Sequence, residues 1–318
     1  MMQTRSLGHS QIAVSALGFG CMGLTWLYGQ TPPEDEAIAV IHRALDLGVT
    51  FFDTADVYGP YTNETLVGKA LGGKRDQVVI ATKCGLIVKD AATFSYERNG
   101  RPEYIKAACD ASLARLGVDV IDLYQLHRPD PDVPIEDSIG AMADLVRAGK
   151  VRTIGVSECD LPTLQRAYAT FPITSLQSEL SLWTRDVLPE ILPWCSAHNV
   201  AFIPFSPLGR GFLTGKYTSA DQFGDDDFRS RNPRFQAAAI QANLALLEQI
   251  AAIADRHGAT KGQIALAWVM AQGDQVVPIP GTKRILYLEE NVGAANVQLT
   301  PDDIAALNAL PAPTGTRY

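Results

Sequence analysis

Eight short apolar runs, amphipathic segments between them and the lack of a dividing linker predict an α/β chain closed into a (β/α)8 TIM barrel. The strand runs lie at 16–20, 50–53, 77–82, 121–126, 153–156, 176–179, 201–205 and 276–279. Most are apolar on both faces, the pattern of parallel strands covered on both sides. Helix patterns fall at 34–47, 104–116, 135–148, 185–198, 237–257 and 261–271. Ile38, Ile41 and Leu45 give the first its apolar face. Gly48, Gly117 and Gly149 follow three of these patterns, where a left-handed residue ends a helix. Thr260 is the expected cap of the last. Eight repeats favour closure over an open sheet. Residues 5–12 read as an N-terminal β-hairpin that plugs one end of the barrel.

Composition narrows the class. The 318 residues are 47% hydrophobic and 19% charged, which excludes disorder, collagen and coiled coil. They suit a single domain spanning 1–318. Lys and Arg number 27 against 35 Asp and Glu, a net charge of −8, so no nucleic-acid partner held by net charge is expected. The five cysteines are odd in number and widely spaced, which suggests neither a disulfide framework nor a CxxC metal site. No HxH pair occurs, so no metal is expected. The N-terminus lacks a signal-like apolar region, and the longest apolar run, 264–271, is far short of a membrane span. A cytoplasmic, membrane-free protein is the expectation.

Two stretches, 84–101 and 215–234, are too long for ordinary barrel turns and read as functional loops at the C-terminal face. The second carries Asp225, Asp226, Asp227, Arg229, Arg231 and Arg234. It is either a solvated charged loop or a lid over a ligand.

Barrel chemistry collects at the C-terminal strand ends. Three consecutive ends read Phe51-Phe52-Asp53-Thr54-Ala55-Asp56-Val57-Tyr58-Gly59, Ile80-Ala81-Thr82-Lys83 and Tyr124-Gln125-Leu126-His127-Arg128. Each polar residue alone has an ordinary reading: Asp53 a turn cap, Tyr58 a loop anchor, Lys83 a surface lysine, His127 a satisfied core histidine. Together they make a proton-delivery site. A free tyrosine titrates near pH ~10, too high for an efficient neutral-pH acid, and a neighbouring ammonium lowers that value. A carboxylate keeps the ammonium charged and fixed. A histidine beside them orients a carbonyl.

The run Asp53-Thr-Ala-Asp-Val-Tyr58-Gly59, with Lys83 and the Leu-Tyr-Gln-Leu-His127 strand end, resembles the aldo-keto reductase superfamily. The resemblance extends from Leu17-Gly-Phe-Gly-Cys-Met-Gly23 to Glu289-Glu-Asn-Val-Gly293. Phe205-Ser-Pro-Leu-Gly-Arg-Gly-Phe-Leu-Thr-Gly-Lys216 and Asp227-Phe-Arg-Ser-Arg-Asn-Pro-Arg-Phe235 are similar to the bacterial, plant and yeast branches rather than the mammalian aldose reductase branch. The resemblance implies an oxidoreductase that transfers a hydride from NADPH to an aldehyde or ketone, and the reverse alcohol oxidation. Tyr58 would be the proton donor, Lys83 and Asp53 its tuners, and His127 the carbonyl orienter.

The same resemblance implies the cofactor residues. Gly20, Met22 and Gly23 would lie against the cofactor. Ser157 and Gln177 match positions that hold the nicotinamide carboxamide, and Glu158 stands where the family often has asparagine. Phe205 would stack on the nicotinamide ring. Ser206, Pro207, Leu208, Gly209, Arg210 and Gly211, with Lys216, would approach the pyrophosphate. Gly281 and Thr282 would form a phosphate turn, and Lys283 and Arg284 would meet the adenosine 2′-phosphate, favouring NADPH over NADH. Glu290 and Asn291 match adenine contacts, and Tyr287 stands where related branches carry arginine or glutamine. Trp26, Tyr28, Tyr61, Arg128 and Trp183 are the expected substrate-pocket residues for a small aldehyde or ketone. Two other readings stay open: a cofactor-binding regulatory subunit of the same fold, and a Schiff-base aldolase with Lys83 as nucleophile.

Overall fold

The computed structural model describes residues 2–91, 93 and 95–318; Ala92 and Phe94, within the long 84–101 stretch, lie outside the described residues. Strands β1 (Thr4–Ser6) and β2 (Ala13–Ser15) pair antiparallel, so the hairpin is offset from the expected 5–12. It plugs the barrel floor: Leu7, Ile12 and Val14 pack with Phe51, Val79, Leu123, Ala201 and Ile203 in one interior cluster.

The barrel strands are β3 (Phe19–Gly20), β4 (Phe51–Asp53) and β5 (Val79–Cys84). An antiparallel hairpin follows, β6 (Leu86–Asp90) and β7 (Ser95–Arg98). Then come β8 (Ile121–Leu126), β9 (Val151–Ser157), β10 (Ser175–Glu179) and β11 (Ala201–Phe205). Seven of them form a parallel sheet in the order β11-β10-β9-β8-β5-β4-β3. The expected eighth strand, 276–279, is not a ladder. It carries one parallel bridge, Phe202 to Val276.

The reason is proline on both sides of the seam: Pro278 and Pro280 in this segment and Pro204 in β11. Val277 and Ile279 donate to the carbonyls of Phe202 and Pro204, while Gly18 and Gly20 donate to those of Pro278 and Pro280. Pro278 and Pro280 have no N–H to return, so the β3 side closes on half a set of bonds, and on the other side Pro204 has no N–H to give Val277. The seam also needs close approach. A Cβ on Gly20 would lie 2.7 Å from the Ile279 carbonyl oxygen.

Helices cover the outer face. Those at Glu34–Asp46, Pro102–Leu116, Ile135–Arg147, Ala237–His257 and Lys261–Met270 follow the sequence pattern, the last with a Thr260–Gln263 capping box. The expected helix at 185–198 shrinks to Ile191–Ala197. Pro189 restricts Leu188 and cannot donate, so the helix starts beyond it. Asn63–Leu71, Leu161–Thr170, Ile285–Gly293 and Pro301–Asn308 are helices that the periodicity above does not predict, although Asp160 and Thr300 cap two of them. Each has ten residues or fewer, a length at which packing rather than local pattern decides. Ala237–His257 is long and apolar enough to cross a bilayer by length and composition. Its Ile240, Leu246, Leu247, Ile250 and Ile253 instead pack into the core around the barrel.

Replacing Gly20 by alanine should push apart the closing seam. The expected cost is about 1–3 kcal/mol, read as a lower urea midpoint at unchanged slope. An unchanged midpoint would show that the seam relaxes freely.

Candidate active site

Strand periodicity builds the site. Phe51, Val79, Leu123, Ala201 and Ile203 point into the barrel, so every second residue beyond them does too. That parity aims Asp53, Lys83, Gln125, His127 and Gln177 at the interior near the C-terminal ends. Register aligns them: Asp53 lies beside Ala81, Lys83 beside Gln125, and Gln177 beside Ser157.

Lys83 is fully buried and all three of its donors are used. Its ammonium pairs with Asp53 Oδ1, donates to the Thr54 carbonyl at 2.8 Å and reaches the Tyr58 hydroxyl at 3.4 Å. Burial opposes the charge, but attraction to Asp53 and Tyr58, with the hydrogen bonds, outweighs it and raises the lysine pKa. Imine formation needs the opposite shift, so the aldolase reading loses its nucleophile. Asp53 is completed by side-chain amides, Gln177 at 2.8 Å and Gln125 at 3.3 Å.

The turn after β4 holds Tyr58. Asn63 accepts from Thr54 Oγ1 and donates to the Cys21 carbonyl and Thr25 Oγ1, at 2.6, 3.0 and 2.7 Å. Tyr58 meets the His127 ring edge-on at 5.7 Å and the Trp26 ring at 6.2 Å. Burial raises its phenol pKa by more than Lys83 lowers it. This corrects the expectation of a net lowering; the resting phenol keeps its proton. His127 is driven well below the usual histidine range, first by burial, then by Arg128 and Lys83. It is a neutral imidazole whose Nδ1 has no hydrogen-bond partner among the described residues.

These groups floor a cavity of about 920 Å³ at the barrel mouth. The β6–β7 hairpin supplies one wall through Leu86 and Tyr96, and loops at 22–30, 205–217, 228–231 and 279–291 supply the rest. Arg128, Arg210, Lys216, Arg229, Arg231, Lys283 and Arg284 line it, against two carboxylates, Asp53 and Glu290. A chain of net charge −8 thus gathers cations in its main hollow, which fits an elongated polyanion such as a dinucleotide phosphate.

The stretch at 215–234 is only partly solvated: Asp225, Asp226 and Arg231 are exposed, while Asp227, Arg229 and Arg234 are buried. Arg229 grips Asp227 with Nε at 2.9 Å and Nη2 at 2.6 Å, and its guanidinium stands 4.4 Å from the Tyr217 ring centre. Phe228 N donates to the Leu27 carbonyl, tying this wall to the 22–30 loop. Lys283 bonds the carbonyls of Tyr28 and Gln30 from the other side, while Arg284 is exposed.

Most expected site residues reach the cavity: Gly20, Met22, Gly23, Trp26, Tyr28, Tyr58, His127, Arg128, Gln177, the 205–208 run, Arg210, Gly211, Lys216, Gly281 to Arg284, Glu290 and Asn291. Lys83 lies beneath, against Tyr58. Ser157 is buried beside Arg128, which donates to its hydroxyl at 3.1 Å. Gly209 is packed against the Trp183 ring rather than the cavity. Two substrate-pocket residues are corrected. Trp183 is 1% exposed, stacked on Phe212 at 4.3 Å. Tyr61, 42% exposed, covers Arg115 outside the mouth.

Known proteins share this fold. A model of the aldo/keto reductase family matches residues 16–312. The chain belongs to the aldo/keto reductase family. A glycerol dehydrogenase from Gluconobacter oxydans superposes with a TM-score of 0.88 at 31% identity, covering 96% of this chain and 94% of that one. An aldo-keto reductase from Klebsiella pneumoniae, solved with NADPH, gives 0.75 at 27% identity, with 99% and 97% covered. One from Bacillus halodurans, in its holo form, gives 0.79 at 27%, with 100% and 99% covered.

This aldo/keto reductase has further groups at the site that the sequence reading did not single out. Leu86, Tyr96, Tyr217 and Tyr318 line the cavity. The two long stretches were the only signal for the first three, since loop length does not say which side chains turn inward. Asp56, behind the Tyr58 turn, is buried with Oδ1 unpartnered among the described residues. Burial, then the charge of Glu64, pushes its carboxyl up to about 8. The folded state therefore binds this proton more tightly than the unfolded chain. The stability it contributes is full below about 3.8 and is lost as pH rises toward about 8. Asp56→Asn should raise the melting temperature at pH 8 by at least about 2 °C, and by less at pH 5. Equal shifts at both pH values would show that Asp56 is not held protonated.

Proposed function

We propose that this aldo/keto reductase is an NADP(H)-dependent oxidoreductase, one barrel domain over 1–318, that reduces aldehydes and ketones reversibly. The observation that carries the reading is the Tyr58 hydroxyl at the cavity floor, 3.4 Å from the Lys83 ammonium and edge-on to a neutral His127. Bound NADPH supplies a hydride to the carbonyl carbon. Tyr58, protonated at rest, gives its proton to the carbonyl oxygen. Lys83 then stabilises the phenolate, and Asp53, held by Gln125 and Gln177, keeps Lys83 charged and in place. His127 orients the carbonyl by a hydrogen bond while adding no charge of its own.

The cation-rich wall supports the cofactor assignment. Arg210 and Lys216 are the proposed pyrophosphate side, Phe205 the stacking face, and Lys283 with Arg284 the 2′-phosphate side. Arg284 is the exposed member of that pair. The solved relative with NADPH and the holo-form relative add to this reading. Substrates are proposed to be small carbonyl compounds that fit against Met22, Trp26, Leu86 and Tyr96, all at the cavity. A regulatory subunit would need only the cofactor groove; the complete Asp53–Lys83–Tyr58–His127 set favours turnover.

Tyr58→Phe should leave NADPH affinity nearly unchanged and lower carbonyl turnover by about 10²–10⁴-fold. Near-normal turnover would remove the proton-donor role.

Removing the charges of Lys283 and Arg284 together should weaken NADPH about tenfold or more and NADH far less. Tryptophan fluorescence reads this directly, because Trp26 lines the cavity. Equal weakening of both cofactors would overturn the 2′-phosphate assignment.

A further inference from the structure

The family-model match ends at residue 312, yet the residues that follow are firmly held. Thr314 N donates to Asn243 Oδ1 at 2.8 Å, and its carbonyl accepts from Asn243 Nδ2 at 3.0 Å. The Gly315 carbonyl accepts from Arg234 Nε at 3.3 Å, and the Arg317 carbonyl from Asn232 Nδ2 at 3.0 Å. Asn232, Arg234 and Asn243 are all buried. These bonds deliver the Arg317 guanidinium to a fixed place. Its Nη2 lies 2.7 Å from Glu158 Oε2 and its Nε 2.7 Å from Glu179 Oε2.

Glu179 is fully buried and also accepts from Arg210 Nη2 at 3.0 Å. Four charges therefore alternate: Glu158, Arg317, Glu179, Arg210. They join the ends of β9 and β10 to the loop after β11. Glu158 follows Ser157 in the chain; its Oε1 accepts from Glu179 N at 3.2 Å, and its own N–H donates to the Gln177 carbonyl. Glu158 does not itself line the cavity, but without a counter-charge it would leave a negative charge one residue from Ser157 and bonded to the backbone of Gln177, which does line it. Glu179, left with Arg210 as its one ion-pair partner beside the Thr184 hydroxyl, would also hold that cation back from the cavity.

We infer that Arg317 is a positioning residue of the cofactor site, neutralising Glu158 and Glu179 so that Arg210 and the β9 and β10 ends accept a dinucleotide. The inference rests on the NADP(H) reading proposed above. It differs from the 2′-phosphate assignment in one respect: Arg317 acts on the half of the ligand that NADPH and NADH share.

The test is fluorescence titration of the full-length protein, wild type and variants, with NADPH and with NADH. Arg317→Ala should weaken both by a similar factor, about tenfold or more, because it strands a charge. Arg317→Ala combined with Glu158→Gln should recover part of that loss, since one of the two carboxylates that Arg317 neutralises is gone while Glu179 keeps Arg210. Arg317→Lys, which keeps the charge but cannot bridge two carboxylates through a planar fork, should fall between. It is the variant to read if the alanine protein does not fold. A merely structural role would lower the melting temperature of Arg317→Ala while leaving the dinucleotide affinity of the folded protein unchanged. The inference is overturned if Arg317→Ala or Arg317→Lys binds as wild type does, or if the double variant is no better than the single. A wild type that binds neither dinucleotide would overturn the NADP(H) reading itself.

Discussion

The buried ion pair between Lys83 and Asp53 is the constraint on which the active site depends. Taking two such charges out of water costs several kcal/mol each, so the pair persists only if every remaining hydrogen-bonding position is filled. It is filled from four strands: Asp53 by β4, Lys83 by β5, Gln125 by β8 and Gln177 by β10. A barrel is the fold that lets these strands converge on one point. An error of one residue in register would turn one of these side chains toward the helices and leave a buried charge unanswered. The pair therefore enforces the same register that the apolar interior prefers, and it holds one partner, Tyr58, at the solvent side.

The remainder of the barrel is arranged around an asymmetry between its ends. The floor is sealed by the N-terminal hairpin, whose apolar residues fill the space between strands. The mouth is polar and walled by loops. Between them runs the seam at 276–280, where prolines remove half of the closing hydrogen bonds and Gly20 lets the backbones approach. The same segment leads directly into the phosphate-side turn at 281–284. The seam thus positions the cation pair on a backbone anchored by carbonyls on one side and glycine on the other.

Charge is sorted in a similar way. Arginine side chains at the mouth are seldom free: Arg210 is paired with Glu179, Arg229 with Asp227, and Arg317 with Glu158 and Glu179. Each pairing fixes a long, flexible side chain in one orientation before any ligand arrives, which lowers the ordering cost of binding. The walls themselves are joined across the groove by Lys283 on the 28–30 carbonyls and by Phe228 on Leu27.

Local chemistry determined much of this in the sequence itself. Runs such as 51–53, 121–126 and 201–205 marked parallel strands because they are largely apolar on both faces, although that same pattern left open which face enters the barrel. The Asp53, Tyr58, Lys83 and His127 pattern was legible because ionisable residues at apolar strand ends require partners. What only the tertiary structure decided concerns distance and burial between remote segments. The net shift of Tyr58 depends on how much protein covers it, set against one ammonium 3.4 Å away. Trp183 and Tyr61 are aromatics near strand ends, and only packing shows one stacked in the core and the other outside the mouth. Arg317 meets Glu158 and Glu179 across 159 and 138 residues, a link that no local pattern encodes. Sequence records what each residue prefers; the closed barrel decides which of those preferences meet.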